Sequence, residues 1–324
     1  MDTAITDQAP TPGPADARPP GDAGATPRTR PARRRARRHA ARGTGLLFLL
    51  PALAVVGFFI LYPLVRMLYL SLTKYDGLSE PEFVGLSNYA YLAHWPDFRR
   101  ILANTFLLLL GVPIWVIGPL LLSVVLFGRR RAGVYRVLFL VPALLPALVV
   151  GLIFRIVLSE QGPVNSGLRA VGLGSLAKGW VSSDPWVLVT IVAVIAWGLF
   201  GMGVLFYSAA LSTIPAETIE AAILDGASWN RLVWHILCPE LMPAVRFWVS
   251  FLALSTVTAF FSWIFTLTRG GPGVASTTLD FAVYQLALVR SDLGRAAAVS
   301  VVGIAVLALV LVLGVVVRRA GKRS

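Results

Sequence analysis

The sequence predicts an all-α polytopic membrane protein with six transmembrane helices. Three observations support this fold class: the composition, the charge-free stretches and the distribution of basic residues. Of the 324 residues, 56% are hydrophobic and only 14% are charged, whereas soluble domains carry about 25% charged residues. A helix needs roughly 20 apolar residues to cross the hydrocarbon core of a bilayer, and six stretches without a charge are of suitable length. They are Gly43–Val65, Ile101–Phe127, Val137–Phe154, Pro185–Ala216, Phe247–Thr268 and Ala296–Val317.

The distribution of basic residues predicts that both termini are cytoplasmic. In that orientation the inside segments hold 19 of the 29 Lys and Arg residues and 8 of the 16 acidic residues, and the outside segments hold the other 10 basic and 8 acidic residues. Because the inside loops of membrane proteins are enriched in Lys and Arg, the reverse orientation is disfavoured. The inside segments are 1–42, 128–136, 212–246 and 318–324.

The two ends of the chain differ in composition from its apolar centre. Residues 1–43 combine low hydrophobicity with an arginine run, which predicts a disordered basic cytoplasmic tail. We interpret this run as a topology signal that contacts anionic lipid headgroups, with specific binding of nucleic acid or lipid as the alternative. Residues 44–100 are predicted to hold the first transmembrane helix and an extracytoplasmic segment, residues 101–317 the other five helices, and residues 318–324 a second basic cytoplasmic tail.

The sequence lacks the spacing of a metal site and of a nucleotide-binding loop. Cys238 is the only cysteine, so no disulfide can form within the chain, and the three histidines fall in different segments. The glycines Gly128 and Gly133 are followed by Val134 rather than by Lys and Ser or Thr, so they do not form a phosphate-binding loop. Any ATP hydrolysis that this protein uses must therefore occur on a separate subunit.

The loop at about 212–243, between the fourth and fifth predicted helices, has helical signals of its own. Pro215 suits the first turn of a helix, and Thr213 is a candidate cap. Gly226 interrupts this helix as a residue able to adopt a left-handed turn would, and Ser228 can cap a second helix. The loop is therefore predicted to form two short helices that are hinged at Gly226 and lie at the cytoplasmic face.

Part of this loop resembles the signature of one protein family. The two stretches are Glu220-Ala221-Ala222-Ile223-Leu224-Asp225-Gly226-Ala227-Ser228 and Ile236-Leu237-Cys238-Pro239. They resemble the EAA loop of binding-protein-dependent ABC importer permeases, which is written EAA, three residues, G, nine residues, I, one residue, LP. Every fixed position matches except the leucine before the proline, where this sequence has the apolar residue Cys238. The resemblance implies the type I ABC importer permease fold and a transport subunit that is not an enzyme.

Further stretches resemble the carbohydrate branch of that family, and its malto-oligosaccharide and glycerol-phosphate type members in particular. They are Phe83-Val84-Gly85-Leu86-Ser87-Asn88-Tyr89, Asn104-Thr105, Arg136 with Phe139, Pro142 and Pro146, Leu211-Ser212-Thr213-Ile214-Pro215, and Thr268-Arg269-Gly270-Gly271-Pro272 with Thr278 and Tyr284. The resemblance covers roughly residues 45–317 and leaves only the tails outside it. It implies passage of a carbohydrate through a gated pore in the bacterial cell membrane.

The resemblance also implies a set of partners. A second, homologous permease would complete a heterodimer, two ATP-binding subunits would dock inside, and an extracytoplasmic solute-binding protein would deliver the carbohydrate. ATP and Mg would be used by the partner ATPase, and no cofactor is expected on this chain. The lipid bilayer is the remaining partner, and no nucleic acid is expected.

The residues that the resemblance assigns to ATPase coupling have suitable physical properties. They are Glu220, Ala221, Ala222, Asp225, Gly226 and Ala227. The three alanines are small enough for close approach to a partner groove, and the two acids can pair with Arg or Lys on the partner. The alternative is an amphipathic helix on the membrane surface, but such helices are usually basic, whereas residues 217–225 carry three acids and no base. A catalytic carboxylate pair is disfavoured because five helical residues place the two acids about 140° apart.

The predicted spans contain no charge, which argues against an ion-coupled transporter and against a charged substrate held by buried counter-charges. The candidate substrate-path residues are instead aromatic or hydroxyl-bearing. They are Trp197, Ser255, Thr258 and Ser262. The last three are spaced i, i+3 and i+7, so they are predicted to share one face of the fifth helix. The alternative is a structural role, because Ser and Thr also mediate helix contacts in lipid and Trp favours membrane interfaces.

Three functions remain open on the sequence alone. The first is import of a carbohydrate, and the second is a permease for a phosphorylated polyol or another polar solute. The third is a membrane-embedded enzyme or a channel working alone. An enzyme would need convergent polar or metal-binding residues, which the sequence does not indicate, and a channel working alone would have no use for an ATPase-docking loop.

Overall fold

The computed structural model of this protein describes residues 49–320, except for the side chains of residue 313 and residues 315–320. The predicted basic tail over residues 1–43 lies outside the described residues, as do residues 321–324 at the other end. The chain divides into two compact units. Residues 49–60 belong to the smaller unit, and the larger unit begins at Leu61. In the described part of the smaller unit the chain is helical, and its large apolar side chains are exposed.

Helices form most of the regular structure in the larger unit, whose described part covers residues 61–320. They are α1 (Tyr62–Leu70), α2 (Ser87–His94), α3 (Phe98–Leu109), α4 (Val112–Leu126), α5 (Ala132–Leu140), α6 (Ala147–Val157), α7 (Pro163–Ala170), α8 (Trp186–Leu211), α9 (Ala216–Leu224), α10 (Trp229–Leu232), α11 (Cys238–Thr258), α12 (Phe261–Leu267), α13 (Leu279–Tyr284) and α14 (Leu293–Ala320). Short 3₁₀-helices occupy Val141–Leu144 and Gly174–Leu176, and π-helical turns occupy Val233–Leu237 and Gln285–Val289. A short antiparallel ladder pairs β1 (Thr73–Lys74) with β2 (Glu82–Phe83), and Thr73 lies opposite Phe83.

Five helices among the described residues are long and apolar enough to cross a membrane. They cover Leu49–Leu70, Phe98–Leu126, Trp186–Leu211, Trp229–Thr258 and Leu293–Val312. A sixth crossing is obtained if the bent pair Ala132–Leu144 and Ala147–Val157 counts as one span. The all-α fold class is therefore confirmed, and the six predicted spans correspond to these five helices and the bent pair.

The third predicted helix, Val137–Phe154, is broken in the structure. The two parts of the bent pair meet at 89°, and Leu145 between them has extended backbone angles, with φ −78° and ψ 134°. A proline disfavours helical geometry in the residue before it and cannot donate the hydrogen bond that a continuing helix needs. Pro146 therefore ends the first part, and the second part begins after it.

The fifth predicted helix, Phe247–Thr268, has different ends in the structure. Helical structure runs without interruption from Trp229 to Thr258. The second loop helix and the fifth span are therefore one element, although the sequence predicted a separate short helix in the loop. Immediately before Pro239 the helix widens into a π-type turn over Val233–Leu237, which accommodates a residue that cannot donate a backbone hydrogen bond.

Helix α8 is central to the main buried core. Three of its glycines allow neighbouring helices to approach closely, because a Cβ atom at each would collide with the neighbour. The glycines and their neighbours are Gly198 with Trp263, Gly201 with Phe139 and Gly203 with Pro119. Small residues have this role generally in the packing of membrane helices. The central helix thus holds α4, α5 and α12 around one core.

Polar side chains fasten the segments between the helices to the bundle. Arg100, near the start of α3, makes a bidentate ion pair with Asp184, which precedes α8, at 2.8 and 2.7 Å. Asn88 donates hydrogen bonds to the carbonyl oxygens of Ser71 and Thr73 at 2.9 and 2.8 Å. A buried amide needs such partners, so Asn88 fixes the segment that follows α1. The Arg100–Asp184 ion pair and the Asn88 hydrogen bonds both lie on the side that the sequence predicts to be extracytoplasmic.

Candidate functional site

The loop helix α9 ends in a left-handed glycine. Gly226 has a φ of +75°, and its amide donates to the Ile223 carbonyl at 3.0 Å. The amide of Ala227 donates to the Ala222 carbonyl at 2.9 Å. These two bonds form a Schellman motif, which satisfies the carbonyl groups at a helix C-terminus and favours glycine at the left-handed position. The prediction that Gly226 adopts a left-handed turn between two helices is confirmed.

The two predicted caps of the loop have different outcomes. Ser228 accepts a hydrogen bond from the Arg231 amide at 3.5 Å and caps the following helix, so this prediction is confirmed. Thr213 does not cap α9, because its hydroxyl donates to the Ala210 carbonyl at 2.8 Å and Pro215 occupies the cap position. The Thr213 prediction was wrong because a threonine hydroxyl at the end of a helix also bonds readily to a carbonyl of the preceding turn.

Helix α9 is anchored on one face and exposed on the other. Ile219 and Ala222 pack against a buried apolar cluster. The members of that cluster are Val124, Leu211, Leu232, Leu237 and Leu241. On the other face Ile223 and Leu224 are exposed, and Leu224 is 87% exposed. Because an isolated helix of this length is unstable in water, the contacts of the half-buried residues Ile219 and Ala222 hold α9 in place and leave its other face exposed.

The predicted ATPase-coupling residues are divided between the two faces. The exposed ones are Glu220, Ala221, Asp225 and Gly226, and the half-buried ones are Ala222 and Ala227. Ala221 therefore offers the small outward surface, whereas Ala222 packs inward. The carboxylates of Glu220 and Asp225 make no ion pair within the described residues. Among the described residues, an added Cβ at Gly226 would meet no atom within 4 Å, so a side chain there is limited by backbone conformation and not by space.

The predicted stripe of hydroxyl groups on the fifth helix does not form. Helix α11 ends at Thr258, because Ala259 leaves helical geometry with a φ of −133°, and Ser262 lies on the separate helix α12. The prediction that Ser262 shares one helix face with Ser255 and Thr258 was therefore wrong, whereas Ser255 and Thr258 do lie on the same helix. Neither proline nor glycine marks the break, and the side chain of Phe260 is buried in the main core where the chain turns.

Among the predicted path residues, Thr258 lines a cavity of about 610 Å³ between α11, α13 and α14. Other polar residues of its lining are Asp280, Tyr284 and Ser300. The Asp280 carboxylate accepts hydrogen bonds from the Thr278 hydroxyl and the Phe281 amide, and its Oδ2 atom has no partner within the described residues. Sequence reasoning missed Asp280, although a single acid in the apolar segment Leu279–Val289 was an available signal.

Trp197 lies elsewhere in the bundle. It is 42% exposed on α8, and its ring meets that of Phe154 edge-on with a centroid distance of 5.0 Å. It is not part of the lining of the cavity at Thr258. The structure therefore joins Thr258 to residues from later in the chain and does not join it to Trp197.

Asn104 and Thr105, which carry part of the family resemblance, are hydrogen-bonded to the segment between Pro272 and α13 and to the first residue of α13. The Asn104 amide donates to the carbonyl oxygens of Val274 and Thr277, both at 2.9 Å. The Thr105 hydroxyl accepts a hydrogen bond from the Leu279 amide at 3.1 Å. Because these bonds join α3 to the turn that precedes α13, they fix the start of the short helix that borders the cavity at Thr258.

A polar cavity of about 580 Å³ lies between the segment around Asp76 and the residues just before α14. Asp76 accepts hydrogen bonds from the amides of Ser79 and Leu78 at 2.8 and 3.0 Å, and from the Ser79 hydroxyl at 2.7 Å. These bonds, with the Ser79 amide first, lower the pKa of Asp76 to about 2, because they stabilise the charged carboxylate. The turn after β1 is therefore held by an anion at neutral pH.

A bundle of membrane-length helices defines a polytopic membrane protein. Residues 90–324 match the model of the family described as the binding-protein-dependent transport system inner membrane component. The chain belongs to this family. Since its members are transport components, the chain is a multi-pass transport subunit of the bacterial cell membrane and not an enzyme.

Individual relatives cover most of the chain. It is 33% identical over 262 residues to the probable ABC transporter permease protein YurN of Bacillus subtilis (strain 168). This alignment covers 79% of this chain and 89% of YurN. It is 32% identical over 247 residues to the lactose transport system permease protein LacF of Rhizobium radiobacter. That alignment covers 75% of this chain and 82% of LacF. A solved bacterial ABC transporter involved in the import of the acidic polysaccharide alginate matches with a TM-score of 0.73 at 20% identity, over 88% of this chain and 99% of that chain. This structural similarity shows a shared fold.

Proposed function

We propose that this chain is the permease subunit of an ATP-driven ABC importer and that its substrate is a carbohydrate. The family implies a solute-binding protein and an ATPase as partners. The observation that carries the proposal is helix α9, which is anchored by Ile219 and Ala222 and presents Leu224 outward. The lactose named for LacF supports a carbohydrate as the substrate.

In this proposal the exposed face of α9 docks into a groove of the ATPase. Ile223 and Leu224 supply apolar contact, and the carboxylates of Glu220 and Asp225, which make no ion pair within the described part of the chain, pair with basic residues of the partner. The next helix runs without interruption to Thr258. A displacement of the loop by the ATPase is therefore passed along one rigid element to the cavity at Thr258.

The complete importer in this proposal has four kinds of subunit. This chain pairs with a second, homologous permease, two ATP-binding subunits dock on the side of α9, and a solute-binding protein docks on the opposite side. ATP and Mg are used by the ATP-binding subunits, and this chain holds no cofactor. The helix Leu49–Leu70 has no buried residue within the part of the chain that the structure describes, which supports contact with lipid or with the second permease.

The proposed solute path passes the cavity at Thr258. The hydroxyl groups of Thr258 and Ser300 offer hydrogen bonds, and the Tyr284 ring offers the aromatic surface, that suit a sugar. Ser255, Ser262 and Trp197 remain path residues of the proposal, although they do not share this cavity's lining.

The test is uptake by the reconstituted complex. Proteoliposomes that hold this chain, the second permease and the ATPase, supplied with binding protein, should take up a sugar from a labelled panel that includes lactose, and only with ATP. Uptake that proceeds without the ATPase would indicate a channel and overturn the proposal. Uptake of glycerol phosphate in place of every sugar would support a permease for a phosphorylated polyol.

A further inference from the structure

A cavity of about 480 Å³ between the fifth and sixth spans is lined by two arginines and three aromatic rings. Its lining includes Phe265, Arg269, Phe281, Tyr284, Gln285 and Arg290. Both guanidinium groups are exposed, and neither makes a hydrogen bond or an ion pair within the described residues. Arg295, by contrast, is paired with Asp292 at 3.0 Å. We name this cavity the arginine mouth.

Arg269 has a backbone conformation that is less favourable for an arginine than for a glycine. Its φ is +54°, in the left-handed region that only glycine adopts without strain. Its amide donates to the Ile264 carbonyl at 2.8 Å, which holds the residue in this conformation. Strained residues cluster at functional sites, so a charged side chain at this position indicates a role for its guanidinium group.

Arg290 is positioned by its backbone and by an aromatic ring. Its amide donates to the Gln285 carbonyl at 3.0 Å, and its Cζ atom lies 5.9 Å from the centroid of the Trp95 ring. A guanidinium group over an aromatic face keeps the N–H donors in its plane available. The two arginines therefore present to the same cavity donors that have no partner among residues 49–320.

Aromatic rings separate the arginine mouth from the cavity at Thr258. Tyr284 lines both cavities, and its ring centroid lies 5.4 Å from that of Phe265 and 5.8 Å from that of Phe281. The volume of the mouth falls within the range of about 300–1,000 Å³ that is usual for small-molecule sites. A sugar ring could contact these aromatic groups while the arginines hold a charged substituent.

We propose that the arginine mouth binds the anionic group of an acidic saccharide, namely a carboxylate, sulfonate or phosphate. Guanidinium groups bind such oxyanions through paired, charge-assisted hydrogen bonds. The inference rests on the proposed function and refines its substrate class. The lack of charge in the spans argues against a charged substrate that is held by buried counter-charges, whereas Arg269 and Arg290 lie between spans, where they are exposed.

A phospholipid headgroup has the same oxyanion chemistry, so the experiment must separate a saccharide from a lipid. The full importer is reconstituted in nanodiscs of phosphatidylcholine, with and without phosphatidylglycerol. Saturation-transfer NMR then measures the binding of methyl glucuronide and of methyl glucoside, which differ by a carboxylate in place of a hydroxymethyl group. The glucuronide should bind about tenfold more tightly, as expected for one charge-assisted contact, and phosphatidylglycerol should not change this preference.

Variants test the two arginines directly. Arg269→Gln combined with Arg290→Gln should abolish the preference for the glucuronide. Arg269→Gly also removes a guanidinium group, but it relieves the backbone strain, so a reduced preference in this variant cannot be attributed to misfolding. Arg99→Gln is the matched control, because Arg99 is exposed on the same predicted side and lies outside the cavity, and it should keep the preference.

The outcomes separate this inference from the proposed function. Equal binding of the two sugars, a preference retained in the double variant, or a preference abolished by phosphatidylglycerol would each overturn the arginine mouth as a saccharide site. Retention of the ATPase is measured in the same nanodiscs. A complex that retains the ATPase but prefers neither sugar refutes only the arginine mouth, whereas a chain that never retains the ATPase refutes the proposed function.

Discussion

The amide of Ala227 donates a hydrogen bond to the carbonyl oxygen of Ala222 at 2.9 Å, across the left-handed residue Gly226. This bond closes α9 and turns the chain into the helix that runs from Trp229 to Thr258. The backbone turn between α9 and the next helix is therefore fixed by a hydrogen bond. A displacement of its exposed face acts on a helix of 30 residues, which is roughly 45 Å long at 1.5 Å per residue.

Replacement of Gly226 should weaken ATPase association. The left-handed backbone costs a non-glycine residue about 1 kcal/mol, and no atom lies within 4 Å of an added Cβ. Gly226→Ala should therefore reach the membrane with a modest loss of association. Gly226→Leu also places a bulky group on the docking face, and should lose both ATPase co-purification and uptake. Gly167→Ala, at a helical glycine with open space, is the control. Full association and uptake in Gly226→Leu would show that this turn does not couple to the ATPase.

Charge reversal at Glu220 should act through electrostatics. Glu220 is exposed and unpaired within the described residues, so Glu220→Lys replaces an attraction to a basic partner with a repulsion. The loss of ATPase co-purification should be greatest at low salt, because ions screen exposed charges. Glu80→Lys makes the same change in net charge at an exposed residue far from the loop, and should leave association unchanged. A salt-independent loss in Glu220→Lys would contradict the electrostatic explanation.

Substitution of Leu224 should affect ATPase binding, whereas substitution of Leu237 should affect the stability of the chain. Leu224 is 87% exposed, whereas Leu237 is fully buried. Leu224→Ala should leave thermal stability of the detergent-purified chain within about 0.5 kcal/mol of wild type and should reduce ATPase binding. Leu237→Ala should destabilise the chain by about 2–5 kcal/mol through an internal cavity. Equal melting temperatures for these two variants would refute the division of the loop into a buried and an exposed face.

A bulky residue at Thr258 should obstruct the solute path. Thr258 lines the cavity of about 610 Å³, so Thr258→Trp should fill part of it and lower the rate of uptake while the ATPase stays bound. Ser250→Trp is the matched control, because Ser250 is exposed on the same helix and does not line the cavity. If Thr258→Trp and Ser250→Trp transport at equal rates, this cavity does not lie on the path.

Cysteine labelling should establish the orientation. In a Cys238→Ser background, cysteines at Ser87 and Ser175 should react with an impermeant reagent from outside, because both positions are exposed and lie in predicted outside segments. Cysteines at Ser228 and Ser324 should react only after the membrane is opened. Labelling at Ser228 in intact cells would reverse the orientation and place the loop that we propose to dock the ATPase outside the cell.

Features that depend on neighbouring residues were predicted from the sequence alone. The left-handed turn at Gly226 and the cap at Ser228 are both set by hydrogen bonds between residues at most five positions apart. The apolar stretches predicted the membrane-length helices because crossing a bilayer requires mainly length and a lack of charge.

Only the tertiary structure decided where α11 ends and which distant residues meet. Ala259 ends α11 although no proline or glycine stands there, because the chain turns where Phe260 enters the core. The Asn104 amide binds the Thr277 carbonyl 173 residues away. Arg269 and Arg290 share a cavity because α13 lies between the fifth and sixth spans and brings the two ends of this segment together. Hydrophobic periodicity reports which face of a helix is buried, but it carries no information on the partner that buries it.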